Sequence, residues 1–136
     1  MDRLTPARRS WLMSRIRSRD TKPELQIRSA LHRMGYRYAL HRRDLPGTPD
    51  LVFPARKKVI FVHGCYWHGH SCRFGRAQSK SNIDFWREKI EGNRKRDERN
   101  IRALRRSGWK VKVIWECQIK KDNWLEPAIR FLDRNF

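Results

Sequence analysis

Val59-Ile60-Phe61-Val62-His63, followed by Gly64 and Cys65, and Trp109-Lys110-Val111-Lys112-Val113-Ile114-Trp115, followed by Glu116 and Cys117, decide the fold of this chain. The first is an unbroken run of β-branched and aromatic residues, the pattern of a strand covered on both faces. The second alternates Lys110 and Lys112 with Val111 and Val113, the pattern of a strand with one covered face. Between them, Ser81-Asn82-Ile83-Asp84 opens a helix that runs to about Arg106, where Gly108 ends it. At about 1.5 Å per residue that helix is about 37 Å long. A strand, a long helix and a second strand make a βαβ unit, with parallel strands and a right-handed crossover. Parallel neighbours bring their C-terminal ends to one edge of the sheet, where open α/β sheets place their sites.

Upstream of this unit, Thr21-Lys22-Pro23-Glu24 has the spacing of a capping box, with Pro in the first turn. Ile27, Ala30, Leu31 and Met34 then recur at helical spacing, and Gly35 follows at a C-terminal cap. Tyr36 to Leu40 reads as a strand, Leu45-Pro46-Gly47-Thr48-Pro49 as a turn, and Asp50-Leu51-Val52-Phe53 as a short apolar strand. Pro54 to Lys58 reverses the chain into residue 59. Pro6 to Arg19 is an Arg-rich helix or arm carrying Trp11, Leu12, Met13 and Ile16. A last helix takes Trp124, Leu125, Ala128, Ile129 and Leu132 as its core stripe. The expected architecture is α/β (α+β), a mixed central sheet flanked by helices. It forms one domain over 1–136: a basic arm at 1–19, a core at 20–120 and a C-terminal helix at 121–136.

The chain has 136 residues, a length that suits one domain. Its 33 Lys and Arg against 14 Asp and Glu leave a formal charge of +19. Six Trp, six Phe and three Tyr are too many aromatics for a disordered basic tail. No apolar run approaches the roughly 20 residues of a membrane helix. Charges stand where a signal peptide needs an apolar stretch, and three cysteines cannot all pair, so the expectation is a cytoplasmic protein. So large a positive charge points to nucleic acid, since neutralising phosphates releases counterions. A structural RNA-binding protein would satisfy the same charge.

Two clusters bear on chemistry. Cys65, His70 and Cys72 follow one parallel strand as C-x4-H-x-C, and Cys117 follows the other, 45 residues beyond Cys72. Thiolates and an imidazole suit Zn²⁺, and four protein ligands make a closed, structural site. His68 competes with His70 for the nitrogen position. Asp50 stands beside the strand pair near His63 and His68. A carboxylate against phosphates calls for a cation, for which Mg²⁺ is suited, and an imidazole can take the proton of an attacking water. Taken alone, an Asp after Pro is more often a turn residue.

These residues together resemble the very-short-patch-repair mismatch endonucleases, bacterial enzymes that nick DNA at T·G mismatches left by deamination of 5-methylcytosine. The matching stretches are Arg9-Ser10…Met13…Ile16-Arg17…Asp20-Thr21…Pro23-Glu24, Leu45-Pro46-Gly47…Pro49-Asp50 and Val59-Ile60-Phe61…His63-Gly64-Cys65…Trp67-His68…His70…Cys72. Further on they are Phe85-Trp86…Lys89-Ile90…Asn93…Arg96-Asp97, Gly108-Trp109 and Val113…Trp115-Glu116-Cys117. The resemblance spans about residues 7–120 and implies a restriction-endonuclease-like fold with a structural zinc site. It implies that Asp50 and the backbone carbonyl of Val62 bind catalytic Mg²⁺, that His68 is the general base, and that His63 and Glu24 support the site. Cys65, His70, Cys72 and Cys117 fall on the family's zinc positions. Met13, Phe61, Tyr66, Trp67 and Trp86 fall among residues that meet or wedge into DNA. Lys89 and Asn93, i and i+4 on one helix face, are candidates for the mismatched pair.

The usual Glu-x-Lys of nucleases of this fold is replaced by Phe61-Val62-His63, which favours a histidine mechanism over a two-carboxylate one. Wedging costs a few kcal/mol of unstacking per step, less at a mispaired step. Each base–aromatic stack returns about 1–3 kcal/mol, so a mismatch can tip the balance. For Trp67 and Trp86 the alternative is core packing. The expected partners are duplex DNA with a T·G mismatch and general mismatch-repair proteins, the enzyme acting as a monomer at the bacterial nucleoid. The competing functions are a restriction-type or junction nuclease of the same fold, and a non-catalytic zinc-stabilised nucleic-acid-binding module.

Overall fold

A computed structural model of the chain describes residues 21–65, 68, 70 and 83–134. The basic arm expected at 1–19 lies outside them. The first described helix, α1 (Lys22–Arg33), starts where capping chemistry puts it: the Glu24 N–H reaches Thr21 Oγ1 at 3.4 Å, and Pro23 occupies the first turn. It ends in a Schellman arrangement. Gly35 takes φ +96°, its N–H donates to His32 O at 3.0 Å, and the Tyr36 N–H donates to Leu31 O at 3.1 Å.

Four strands form one sheet in the order β1 (Ala39–Leu40), β2 (Leu51–Phe53), β3 (Lys58–His63), β4 (Lys110–Trp115). The first two pairings are antiparallel and β3·β4 is parallel, with Lys58 opposite Lys110 and His63 opposite Trp115. The connection between the parallel strands contains α2 (Ile83–Arg106), 24 residues and about 36 Å long. After β4 come α3 (Glu116–Lys120) and α4 (Leu125–Asp133). The sheet is therefore mixed and flanked by helices.

Two elements differ from expectation. The strand expected over 36–40 pairs only at Ala39 and Leu40. The preceding tyrosines are drawn to helices: Tyr36 OH donates to Asp133 Oδ1 and Tyr38 OH to Arg28 O, each at 2.7 Å. The helix α3 was not anticipated, since five residues are too few to display a helical period.

Both faces of the sheet are covered, as the unbroken apolar run in β3 requires. Leu51, Phe53, Ile60 and Ile114 pack with Ile27 and Leu31 of α1 and with Ala128 and Leu132 of α4. Val52, Val59 and Phe61 pack on the other face with Leu104 of α2 and with Trp109. Strand alternation continues this second face to Asp50, His63 and Trp115 at one end of the sheet. There α2 runs past the C-terminal ends of β3 and β4, and a cleft opens between helix and sheet.

Candidate active site

The cleft has a volume of about 490 Å³ and is lined by Glu24, Asp50, Val62, His63, His68 and Asp97, among others. Three elements deliver the floor. The first turn of α1 supplies Glu24, the turn after Leu45 supplies Asp50, and the end of β3 with its following loop supplies the rest of the floor. The wall is the α2 face bearing Lys89, Asn93, Asp97 and Asn100. The turn lies hard against that wall: Gly47 has φ +78°, and a Cβ there would sit 3.0 Å from the Asn100 side chain.

Asp50 is 8% exposed, and its Oδ2 accepts the Val62 N–H at 2.6 Å. Burial pushes its pKa up to about 8; the neighbouring Glu24 carboxylate adds to this and the Val62 N–H opposes it. Glu24 is 1% exposed and is bridged by Arg28 Nη1 at 3.1 Å and by His41 Nε2 at 3.0 and 3.1 Å. His41 Nε2 also stands 3.9 Å from Asp50 Oδ1. One ligand atom from each of Glu24, His41 and Asp50 falls within 4.8 Å of the others. Two desolvated carboxylates opening on one cleft form a donor set for a hard divalent cation.

The second group lies alongside. His68 Nδ1 is 2.6 Å from Asp97 Oδ2, a partner that as a carboxylate only accepts, so Nδ1 is the nitrogen that donates there, and in the neutral ring Nε2 is the one that can accept. His63 stacks on His68 with centroids 3.8 Å apart and planes 2° from parallel. Burial, reinforced by His68 and opposed by Asp97, lowers the His63 pKa to about 4, so this ring is neutral at physiological pH. Its buried Nδ1 has no hydrogen-bond partner among the described residues.

At the rim, Cys65, His70 and Cys117 bring their ligand atoms within 4.8 Å of one another. The Cys117 N–H donates to Cys65 Sγ at 3.3 Å, and Cys117 Sγ lies 3.6 Å from His70 Nδ1. The competition between the two loop histidines is resolved in space: His70 goes to the cysteines and His68 to Asp97. Two sulfurs and an imidazole fit a zinc-type ion. Cys72, the fourth expected ligand, lies outside the described residues.

Among the DNA-facing candidates, Lys89 and Asn93 line the cleft. Trp86 is half-buried, edge-on to Phe85 at 5.2 Å, with Lys89 Nζ 5.5 Å from its ring centre. Phe61 requires a correction. It is 6% exposed and packed with Val52, Val59, Leu104 and Trp109, so it forms the floor of the cleft and cannot enter a base stack without leaving the core. Met13, Tyr66 and Trp67 lie outside the described residues.

Sequence reading assigned no role to His41, Asp97 or Trp115. The signal for Asp97 was present, because the helix face of Lys89 and Asn93 continues at i+8 to Asp97 and i+11 to Asn100. His41 had no local signal: it meets Glu24 across 17 positions and takes φ +47°, unusual for a residue with a side chain. Trp115 follows from the parallel register, which sets it opposite His63.

The family model described as DNA mismatch endonuclease Vsr matches residues 1–74. The chain is 54% identical over 129 residues to the type II nicking enzyme V.XorIIP of Xanthomonas oryzae pv. oryzae, covering 95% of this chain and 94% of the relative. It is 45% identical over 119 residues to the type II nicking enzyme V.NmeAIP of Neisseria meningitidis, covering 88% and 84%. Over 114 residues it is 40% identical to the DNA mismatch endonuclease Vsr of Escherichia coli, covering 84% and 72%.

Proposed function

The chain belongs to the Vsr family of DNA mismatch endonucleases, and from that premise we propose that it nicks one strand of duplex DNA at a T·G mismatch left by deamination of 5-methylcytosine, using Mg²⁺. What carries this reading is that a single cleft holds both the desolvated Glu24–Asp50 pair and the His68–Asp97 pair. The enzyme works as a monomer in the bacterial cytoplasm.

Asp50 and the carbonyl of Val62 would hold Mg²⁺, with Glu24 beside them. The chemistry supplied by Mg²⁺ when bound is Lewis-acid polarisation of the scissile phosphate. His68 Nε2 takes the proton of the attacking water, and Asp97 at Nδ1 keeps the ring in the tautomer that leaves Nε2 free to accept it. The imidazolium so formed is stabilised by the Asp97 carboxylate on one side. On the other lies the face of neutral His63, which adds no competing charge. Arg28 and His41 hold Glu24 on its far side and so keep it aimed at the cleft. Cys65, His70, Cys72 and Cys117 would hold a structural zinc that ties the loop carrying His68 to the end of β4. The Glu-x-Lys of two-carboxylate nucleases has no counterpart, because Phe61 faces the core and His63 occupies the last position of β3.

Recognition of the mismatch falls to Lys89 and Asn93 at the cleft wall, with Trp86 above them and Met13, Tyr66 and Trp67 as further wedges. The test is a strand-specific nicking assay on otherwise identical T·G and C·G duplexes with Mg²⁺. Nicking confined to the T-containing strand of the mismatched duplex is expected. Cutting of the C·G duplex, or binding without cutting, refutes the reading.

A further inference from the structure

The groups that hold His68 in place are few. Among the described residues its ring has the Asp97 bond, the face of His63 and a longer edge-on contact with Trp115 at 6.4 Å and 71°, and its backbone N–H donates to Gly64 O at 3.2 Å. His63 is no better anchored by hydrogen bonds, since its buried Nδ1 has none among the described residues. The plane of His63 is therefore set by ring contacts, to Phe61 at 5.5 Å and to Trp115 at 5.2 Å and 73°. Trp115 meets a third imidazole as well: His70, of the cysteine cluster, lies flat on the indole at 4.1 Å and 16°.

The four rings form one column, His70 to Trp115 to His63 to His68. Its middle member is fixed by the backbone. Trp115 ends β4 opposite His63 in the parallel register, and its N–H donates to Gln118 Oε1 at 2.9 Å in the first turn of α3. An edge-on contact on one side and a stacked contact on the other give the indole definite orientations toward both neighbours.

We propose that Trp115 is a positioning residue for the nicking reaction: its indole wedges His63 against His68 and so transmits the rigidity of the Cys65–His70–Cys117 cluster to the nitrogen that moves the proton. Trp115 touches neither the phosphate nor the attacking water. It acts by keeping His68 Nε2 where the proton must be taken, and a displacement of about 1 Å there costs about 100-fold in rate. This inference rests on His68 and Asp97 being the proton-moving pair.

The test compares Trp115→Leu and Trp115→Phe with the wild-type chain. The readouts are single-turnover nicking of a T·G duplex at saturating enzyme, affinity for that duplex in EDTA, melting temperature, and the downfield imidazole N–H proton of the His68–Asp97 bond by NMR. Should the Leu variant not fold, Trp115→Met, unbranched and adaptable but without a planar face, takes its place. The ring-less variant is expected to lose about 100-fold in single-turnover rate. It should also lose the protected N–H signal, while affinity and melting temperature stay close to wild type. Trp115→Phe, which retains a ring at both contacts, should recover the signal and most of the rate. A ring-less variant that nicks at the wild-type rate overturns the proposal, and so does one whose rate, affinity and melting temperature fall together. A folded Phe variant that recovers nothing overturns it as well. Failure of the underlying reading is distinguishable: His68→Ala and Asp97→Asn would then nick normally, whereas if Trp115 alone is misassigned both are impaired by about 100-fold or more.

Discussion

Replacing Asp50 by Asn should strengthen the fold and end the chemistry. The Asn amide oxygen can still accept the Val62 N–H now held at 2.6 Å, and its NH2 can donate to Glu24 at any pH, as the Asp50 carboxyl can only while it keeps its proton. In the metal-free protein folded Asp50 keeps its proton up to about pH 8, while in the unfolded chain it releases it near 3.8. Folding therefore takes up a proton between those values. The stability this provides is complete below pH 3.8 and drains away as pH rises toward 8, by about 1.4 kcal/mol per pH unit. Asn does not titrate, so the variant's advantage should widen with pH, by up to about 4 kcal/mol between pH 5 and pH 8. For a chain of this size each kcal/mol moves the melting temperature by roughly 4 °C. The assay is thermal unfolding of both proteins in EDTA at pH 5 and pH 8, repeated with Mg²⁺. The gap should grow with pH in EDTA and shrink again at pH 8 with Mg²⁺, because only the wild type gains from the cation. A gap that is flat, or that narrows with pH in EDTA, would refute the placement of a desolvated carboxylate in this cleft.

Asp97→Asn should lower single-turnover nicking by about 100-fold or more, through the wrong His68 tautomer, with affinity for the mismatched duplex retained. Cys117→Ser should reduce bound zinc below one equivalent and cost several kcal/mol of stability, read by metal analysis and thermal unfolding. Leu104→Ala, which opens a cavity where α2 meets the sheet, should cost about 2–5 kcal/mol in denaturant unfolding while leaving the preference for T·G over C·G unchanged.

How much of this was legible beforehand depends on the range of the interactions involved. Local periodicity was enough for β3, α2 and β4, and the parallel pairing followed from the length of the helix between them. The start of α1 was legible at Thr21 and Pro23 because capping is a matter of three residues. The cysteine cluster was visible because both strand ends carry a thiol and parallel strands end at one edge. Contacts across the sequence were hidden. His41 reaches Glu24, Asp97 reaches His68 and Tyr36 reaches Asp133 only through tertiary packing, and no spacing rule links them. The resemblance set Phe61 among the residues that meet DNA, although the unbroken apolar run of β3 already implied burial. The alternation of β3, with His63 at the cleft and Val59 and Phe61 on the same face above Leu104, decides for the core. The split between His68 and His70 was equally a matter of space: they are two positions apart in one loop and serve different clusters.

In the proposed reaction the carboxylate of Asp50 and the imidazole of His68 act on one phosphate from one cleft. The most direct measurement is single-turnover nicking of a T·G duplex by Asp50→Ala beside the wild type, with binding of the same duplex followed in parallel. The variant should bind the duplex and leave both strands intact. Nicking at close to the wild-type rate would contradict this.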